Sequence, residues 1–278
     1  MRHLPEPRVV VGVGSSDRSS AAVSIAAREA ALRGCPLLLI GAVAGSLPAI
    51  SGRVRESWPG IPLMGLTTQV DISEALVVES RAASLVVVDR PDTGGRNRCE
   101  QVAAHAFCPT MIVPNIHPPA PDAKVLVGLA ITPYDEPAIE YAFEEAALRG
   151  VPLVPIHVWW GVPDAAISEV DDFSYDLTTA HETADRLLAE ALAGWAAKYP
   201  TVVVQRTPLY DVNPAQTLLE ASAHAGLLVV GANQHGPQTP HLLGTVARTI
   251  LAKARCPVVV IRRATQHDQG VPHVARTT

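Results

Sequence analysis

The stretch REAALRGCPLLL, from Arg28 to Leu39, returns 116 residues later as EEAALRGVPLVP, from Glu144 to Pro155. In both copies a run of helix-forming residues reaches a glycine, Gly34 or Gly150, and the chain continues through proline into apolar residues. Glycine is common just past the end of a helix, where the backbone turns into the left-handed region. The repeat therefore predicts that the chain builds the same helix end and the same strand start twice.

The similarity includes the strand before each helix. Apolar, β-rich runs stand there at the same spacing: RVVVGVG from Arg8 to Gly14 and KVLVGLA from Lys124 to Ala130. Ser19 and Asp135 are the expected N-caps of the two helices. A strand, a helix and a second strand in this order form a βαβ unit, which predicts a parallel sheet.

Two later strands repeat at a wider spacing. SLVVVD (84–89) matches GLLVVG (226–231) after 142 residues, and CPTMIVP (108–114) matches CPVVVIR (256–262) after 148 residues. An insertion at 174–199 of the second copy accounts for most of the increase, and it predicts a helix for which the first copy has less room. The apolar face of this helix is expected to carry Leu188, Ala191, Leu192 and Trp195.

The predicted fold class is α/β, with two tandem, open, doubly wound domains that each contain a five-stranded parallel sheet. The first domain is expected over residues 1–118 and the second over residues 119–265. Residues 266–278 are expected to form a disordered tail. Open sheets of this kind bind ligands at the carboxyl ends of the strands where the winding reverses, which directs attention to the loops after the first and fourth strands.

Composition excludes several classes of protein. A hydrophobic fraction of 48% and a formal net charge of −5 predict a soluble globular protein without a basic surface for nucleic acid or membrane. The N-terminus has no apolar signal region and the four cysteines form no C-x-x-C pair, which favours a cytoplasmic protein with reduced thiols. The sequence has no nucleophile elbow, no H-E-x-x-H and no lysine-bearing phosphate loop, so we expect no enzyme.

From Arg8 to Arg263 the chain resembles the universal stress protein family, in particular its tandem two-domain members. The residues that carry the resemblance are VVVGVGSS, EAALRG, LLVVGAN and LLGTVARTILAKARCPVVVIR. In nucleotide-binding members the first strand ends in V-D-G-S and the fourth leads into G-x-x-G-x9-G-[ST]. The resemblance implies an aspartate that holds the adenosine end of ATP and a glycine motif that cradles the phosphates.

The second copy matches this pattern in part. It keeps Gly231, Gly244 and Thr245, but Gln234 stands in place of the second glycine and Ala130 in place of the aspartate. Gly236, two residues after Gln234, could give the loop another path. The resemblance therefore implies ATP or a related nucleotide in the C-terminal domain only, with a weakened site.

The first copy departs further from the pattern and has a degenerate phosphate loop. Gly14 replaces the aspartate, Asp89 replaces the first loop glycine, and Arg96-Asn97 replaces the closing pair. Asn97 and Glu100 look like a capping box, which would satisfy the start of the following helix with the protein's own groups. By resemblance this domain binds no nucleotide.

Charge favours an anion in the second copy alone. The helix that follows its fourth-strand loop has Arg248 in the first turn, where a cation is slightly unfavourable against the helix dipole unless an anion lies between them. The alternative, that Thr245 is an ordinary helix cap and Arg248 a solvated side chain, stays open. The candidate nucleotide-binding residues are Gly128, Ala130, Gly231, Gln234, Gly236, Gly244, Thr245 and Arg248.

Two functions remain open. The first is a non-enzymatic stress-response protein that senses a nucleotide and changes its dimerisation or its partner. The second is a ligand-free scaffold in which both sites have decayed. Family members commonly assemble through their last strands, so we expect CPVVVIR to offer an exposed edge for a homodimer, or the two halves to face each other as an intramolecular pseudo-dimer.

Overall fold

The computed structural model describes residues 7–14, 20–42, 46–90, 96–115, 120, 122–160, 177–232 and 242–262. In the first half the strands are β1 (Arg8–Val13), β2 (Leu37–Gly41), β3 (Leu63–Thr67), β4 (Ala83–Asp89) and β5 (Thr110–Val113), and the helices are α1 (Ser20–Arg33), α2 (Ser46–Ser57), α3 (Ile72–Glu79) and α4 (Arg96–His105). In the second half the strands are β6 (Val125–Leu129), β7 (Leu153–Trp159), β8 (Thr207–Tyr210), β9 (Leu227–Gly231) and β10 (Val258–Ile261). Its helices are α5 (Glu136–Arg149), α6 (Leu177–Ala191), α7 (Trp195–Lys198), α8 (Pro214–Ser222) and α9 (Thr245–Lys253).

All ten strands belong to one sheet in the order β3-β2-β1-β4-β5-β10-β9-β6-β7-β8. Strands within each half are parallel, which confirms the predicted pair of five-stranded, doubly wound units. At the centre β5 and β10 pair antiparallel, with Met111 opposite Val259. The expectation that the last strand is an exposed edge was wrong, because β10 finds its partner inside the same chain. The two halves form the intramolecular pseudo-dimer.

One layer of helices covers each face of the sheet. Alternate strand residues point to opposite faces, so Val9 and Val11 join the core under α1, α2 and α5, while Val10 joins the core under α3, α4, α8 and α9. Each of the two cores contains buried side chains from both halves of the chain. The apolar interior is therefore continuous across the β5–β10 pair.

The predicted inserted helix is present, but it is divided. Its first part, α6, has 15 residues, and the chain turns at Gly194, with φ 86°, before the short α7 begins. Leu188 and Leu192 are buried, and Ala191 and Trp195 pack against the same core, so the predicted apolar face is confirmed. The first copy has the shorter α2, with 12 residues.

The two predicted helix starts are confirmed only in part. Asp135 is the N-cap residue of α5, as predicted, but its side chain accepts no hydrogen bond from an amide of that helix. Helix α4 begins at Arg96, so Asn97 lies inside the first turn instead of at the cap position. The predicted cap Ser19 lies outside the described residues.

Four buried charges join the halves on one face of the sheet. Arg33 pairs with Glu29 of its own helix and with Glu145 of α5, while Arg149 pairs with Glu145 and with Glu29. The four side chains are at most 8% exposed and alternate in sign around a closed square. They are the E and R of the repeated EAALRG, so the repeat that predicts the helix ends also builds the contact between α1 and α5.

Tyr141 makes the square asymmetric. The Arg33 guanidinium donates a hydrogen bond from Nη2 to the Tyr141 hydroxyl oxygen at 3.2 Å. Burial raises the pKa of this phenol to about 12, so it stays neutral beside the charges. The position 116 residues earlier is Ile25, which offers no such group.

Arginines join the halves on the opposite face. Arg90, just after β4, donates from Nη1 to the carbonyl oxygen of Leu251 in the last turn of α9 at 3.3 Å. Arg262, just after β10, donates from Nη1 to the carbonyl oxygen of Ala106 after α4 at 2.6 Å. Cations are favourable at the carboxyl end of a helix, so each half stabilises a helix end of the other.

Replacing Gly150 with alanine should lower the free energy of unfolding by about 1–2 kcal/mol, because a Cβ is strained in the left-handed region. Gly150 has φ 65°, and an added Cβ would meet nothing within 4 Å, so packing plays no part. Gly52→Ala is the control, since it lies in α2 with equally open space and should gain about 0.5–1 kcal/mol from helix propensity. Urea unfolding measures the change in the free energy of unfolding for both variants. Changes of the same sign would contradict the explanation from the left-handed backbone at Gly150.

Removing one charge from the buried square should be costly. Arg33→Met leaves two buried carboxylates with one cation, and we expect a loss of about 3–5 kcal/mol in the free energy of unfolding. The control is Arg186→Met, because Arg186 pairs with Glu190 at 3.4 Å on an exposed surface, where a pair contributes about 0.5 kcal/mol or less. Similar shifts in the midpoint of urea unfolding for the two variants would show that the square does not hold the halves together.

Candidate functional site

A cavity of about 490 Å³ opens at the carboxyl ends of β6 and β9. These neighbouring strands mark the place where the winding of the second half reverses, because β6 continues to β7 on one side and pairs with β9 on the other. Reversal points of this kind are the usual ligand sites of open α/β sheets, and the volume lies within the range of roughly 300–1,000 Å³ for small-molecule pockets.

The cavity collects most of the residues that the sequence singled out. Its wall includes Gly128, Ala130, Gly231, Gly244, Thr245 and Arg248. Gln234 and Gly236 lie outside the described residues. Residues from three separate stretches of the chain thus meet at one place.

The two strand glycines have different roles. A Cβ on Gly128 would lie 2.8 Å from Leu218 Cδ1, so this glycine lets α8 pack closely on β6 and form the cavity floor. A Cβ on Gly231 would meet nothing within 4 Å. Packing therefore requires glycine at 128, and open space lies next to 231.

The start of α9 faces the cavity. Gly244 occupies the cap position with an extended backbone and has no side chain that could cap the helix, so the reading of Thr245 as the cap was wrong. The Gly244 N–H donates to the carbonyl oxygen of Ala232 at 2.8 Å, which fixes the helix start against the end of β9. The amides of the first turn and the positive end of the helix dipole are well placed for an anion.

Arg248 adds a full positive charge to this helix end. Its side chain is exposed and lines the cavity. In the parts of the chain that the structure describes, no acidic side chain forms an ion pair with it. A cation in a first helical turn is mildly unfavourable alone and becomes favourable when an anion is held between it and the amides.

Asp135 is an acidic residue of the cavity wall that was not among the candidates from the sequence. Its carboxylate is buried in the wall, with 6% exposure, where Oδ2 accepts hydrogen bonds from the Thr132 N–H at 2.8 Å and from the Thr132 hydroxyl at 3.3 Å. Burial raises the pKa of this acid, and the hydrogen bonds from Thr132 oppose the rise. The signal available in the sequence was the position of Asp135, five residues after Ala130. The interpretation of Asp135 as a helix cap obscured its place in the cavity wall.

The loop between Ala130 and Asp135 is strained. Ile131 has φ 59°, in the left-handed region, at the place where the V-D-G-S pattern has its glycine. A β-branched residue there is an outlier that costs roughly 1–2 kcal/mol. Such strain persists when surrounding contacts fix the loop, and here Ile131 packs against the core under α5.

The remaining wall is apolar and ends in an aromatic ring. Ile156, Val158 and Val230 line the cavity, and Trp160, directly after β7, stands at its mouth with 69% of its surface exposed. Trp159 is buried and packs edge-on against Tyr210 with ring centroids 4.9 Å apart. Trp159 therefore belongs to the interior, while Trp160 presents its ring beside the cavity.

The corresponding end of the first half is occupied by its own charges. Burial raises the pKa of Asp89 and the nearby Arg98 lowers it. Hydrogen bonds from Ser73 lower the pKa of Asp71, which Arg98 also lowers. The charge of Arg98 is therefore partly balanced by acids of the protein itself, whereas the sequence had suggested only that Glu100 satisfies the helix start.

Searches of the described residues for other kinds of site were negative. They contain no group of three or more histidine, cysteine or acidic side chains that could hold a metal ion. Among the helices they form, none is long and apolar enough to cross a bilayer. All four cysteines are free thiols.

Comparisons with known proteins show the family and the fold of the chain. The sequence profile of the Universal stress protein family matches residues 123–262. A universal stress protein of Mycolicibacterium smegmatis is 33% identical over 297 residues, covering 91% of this chain and 96% of the relative. A putative universal stress protein from Pseudomonas aeruginosa has the same fold, with a TM-score of 0.62 at 16% identity over 93% of this chain and 94% of that chain. A universal stress protein in complex with cAMP matches 51% of this chain and 98% of its own at 20% identity, with a TM-score of 0.38.

Asp135 should make stability depend on pH. Because burial raises its pKa above the ordinary 3.8, the stabilisation linked to its protonated form is complete below that value and is lost as the pH rises through the folded-state pKa. Asp135→Asn keeps an oxygen for Thr132 without the charge, so it should raise the urea midpoint at about pH 7 and have less effect near pH 4.

The matched control is Asp185→Asn. Hydrogen bonds from Arg206 lower the pKa of Asp185, so its carboxylate stabilises the folded state at neutral pH and this contribution fades in acid. The two variants should therefore shift the urea midpoint in opposite directions at neutral pH. Shifts of the urea midpoint in the same direction would contradict the conclusion that burial raises the pKa of Asp135.

Proposed function

Because the chain belongs to the universal stress protein family, we propose that it is a non-enzymatic stress-response protein whose second half binds an adenine nucleotide. The supporting observation is the cavity at the β6/β9 reversal point, where the uncapped start of α9 and Arg248 face an apolar, tryptophan-edged wall. A phosphate group fits the helix start, where amide donors and a guanidinium converge. The base fits against Ile156 and Val158, with Trp160 at the rim.

The first half serves as the structural partner of this site. Arg98 is near enough to Asp89 and Asp71 to lower the pKa of both carboxyls, so an incoming phosphate would meet acids as well as a cation. These features support binding in the C-terminal half only.

Helix α9 connects the cavity with the contact between the two halves. It begins at the cavity and ends where Arg90 of the first half donates to Leu251. It also packs against α4, whose end receives the bond from Arg262. A ligand that orders the start of α9 would therefore affect a helix that contacts both halves. A partner protein that binds across the two halves would respond to this change in α9.

A ligand-free scaffold is the second candidate. Ala130 provides no carboxylate at the usual place, and Asp135 introduces a buried negative charge into the cavity wall. Loss of one charge-assisted hydrogen bond weakens binding by about 1.5–3 kcal/mol, or roughly 10- to 100-fold. Such a loss leaves a weak site, whereas a scaffold would show no binding at any accessible concentration.

Calorimetric titration with adenine nucleotides tests the proposal, together with Gly244→Asp. Aspartate is a good N-cap, so this variant should fold normally while its carboxylate fills the helix start, and binding should fall at least about tenfold. Arg96→Asp, at the matching position of the first half, should leave affinity unchanged. The nucleotide proposal fails if the folded wild-type protein binds no adenine nucleotide at millimolar concentration, or if Arg96→Asp weakens binding as much as Gly244→Asp.

A further inference from the structure

We propose that the cavity of the second half selects a nucleoside monophosphate over the triphosphate, a selectivity that rests on the nucleotide binding proposed above. The positive charge that the cavity can present to a phosphate group is small and lies at one place in the wall. It is confined to the start of α9 and to one side chain, and it is opposed by a buried carboxylate in the same wall.

The cavity offers few cationic groups to a phosphate. Among the described residues of the wall, Arg248 is the one lysine or arginine. The helix start contributes about half a positive charge. The segments 161–176 and 233–241, which adjoin wall residues in sequence, contain no lysine or arginine, and 161–176 contains five acidic residues. The phosphate end of the cavity therefore supplies about one and a half positive charges.

A single phosphate matches this supply. A phosphate monoester carries a charge of about −1.5 to −2 near neutral pH. Its oxygens can accept from the free amides of the first turn of α9 and from the Arg248 guanidinium together. A triphosphate brings about two further negative charges, and with an effective dielectric constant near 20 each unbalanced charge costs about 2 kcal/mol at roughly 8 Å.

A metal ion would not correct the imbalance. Protein-bound Mg²⁺ is usually held by one or two carboxylates together with the phosphates. In the part of the wall that the structure describes, the one carboxylate is Asp135, whose Oδ2 already accepts two hydrogen bonds from Thr132. Asp135 thus acts on the ligand as a repelling charge, and a single carboxylate that Thr132 already engages is a poor anchor for a metal ion.

The test compares AMP, ATP and adenosine by calorimetric titration of the full chain at about pH 8, where histidines are neutral. AMP should bind at least about tenfold more tightly than ATP, with or without Mg²⁺, and more tightly than adenosine. Arg248→Gln should weaken AMP at least about tenfold and leave adenosine unchanged.

A lysine added to the cavity wall tests whether charge, and not the shape of the cavity, determines the selectivity. Leu242 lines the cavity and is 66% exposed, so Leu242→Lys is compatible with the fold and should strengthen ATP at least about fivefold more than AMP. Val212→Lys, at a site 75% exposed and outside the cavity wall, should leave the ratio unchanged. Thermal unfolding confirms that each variant is folded.

The outcomes distinguish this selectivity from the proposed function. Equal or tighter binding of ATP overturns the monophosphate selectivity and leaves nucleotide binding intact. A Leu242→Lys protein with an unchanged ratio overturns the charge argument even if AMP is preferred. Failure of AMP, ATP and adenosine to bind at millimolar concentration overturns nucleotide binding itself, and the selectivity with it.

Discussion

Four buried charges at the contact of α1 and α5 constrain the arrangement of the two halves. Glu29, Arg33, Glu145 and Arg149 are removed from water together, and each has one partner on its own helix and one from the opposite half. A displaced or separated half would break the two ion pairs between the halves, and removing a partner from a buried charge is strongly destabilising. The contact therefore specifies one relative position of the halves, which apolar packing alone would define less sharply.

This fixed position explains how one sheet can contain ten strands. The antiparallel β5–β10 pair closes the only edges that the two halves would otherwise expose at the centre, and the arginines on the opposite face complete the ends of α4 and α9. With the last strands used inside the chain, the sheet ends at β3 and β8. A protein built in this way obtains within one chain the symmetric contact that single-domain proteins must find in a second copy.

Duplication also allowed the two reversal points to diverge. In the second half, an uncapped helix start and an arginine without an acidic partner among the described residues face open space. In the first half, Arg98 lies near Asp89 and Asp71. Because the fold depends on the central contacts and not on either strand-end loop, one loop could lose its ligand chemistry without loss of the structure. In the proposed function, the second half binds the ligand and the first half supports it.

The sequence determined the fold class, the two-fold repeat, the inserted helix and the residues at the strand ends and helix start of the cavity, because these follow from local periodicity and from residue types that recur at fixed spacing. The role of Asp135 required the tertiary structure, since a residue before a helix looks like a cap until its carboxylate is seen to turn back to Thr132. The pairing of β10 with β5, and the square made by the E and R of EAALRG, were equally invisible in sequence. Each depends on which residues distant in the chain meet across the pseudo-twofold axis, and only the packing of the two halves against each other decides that.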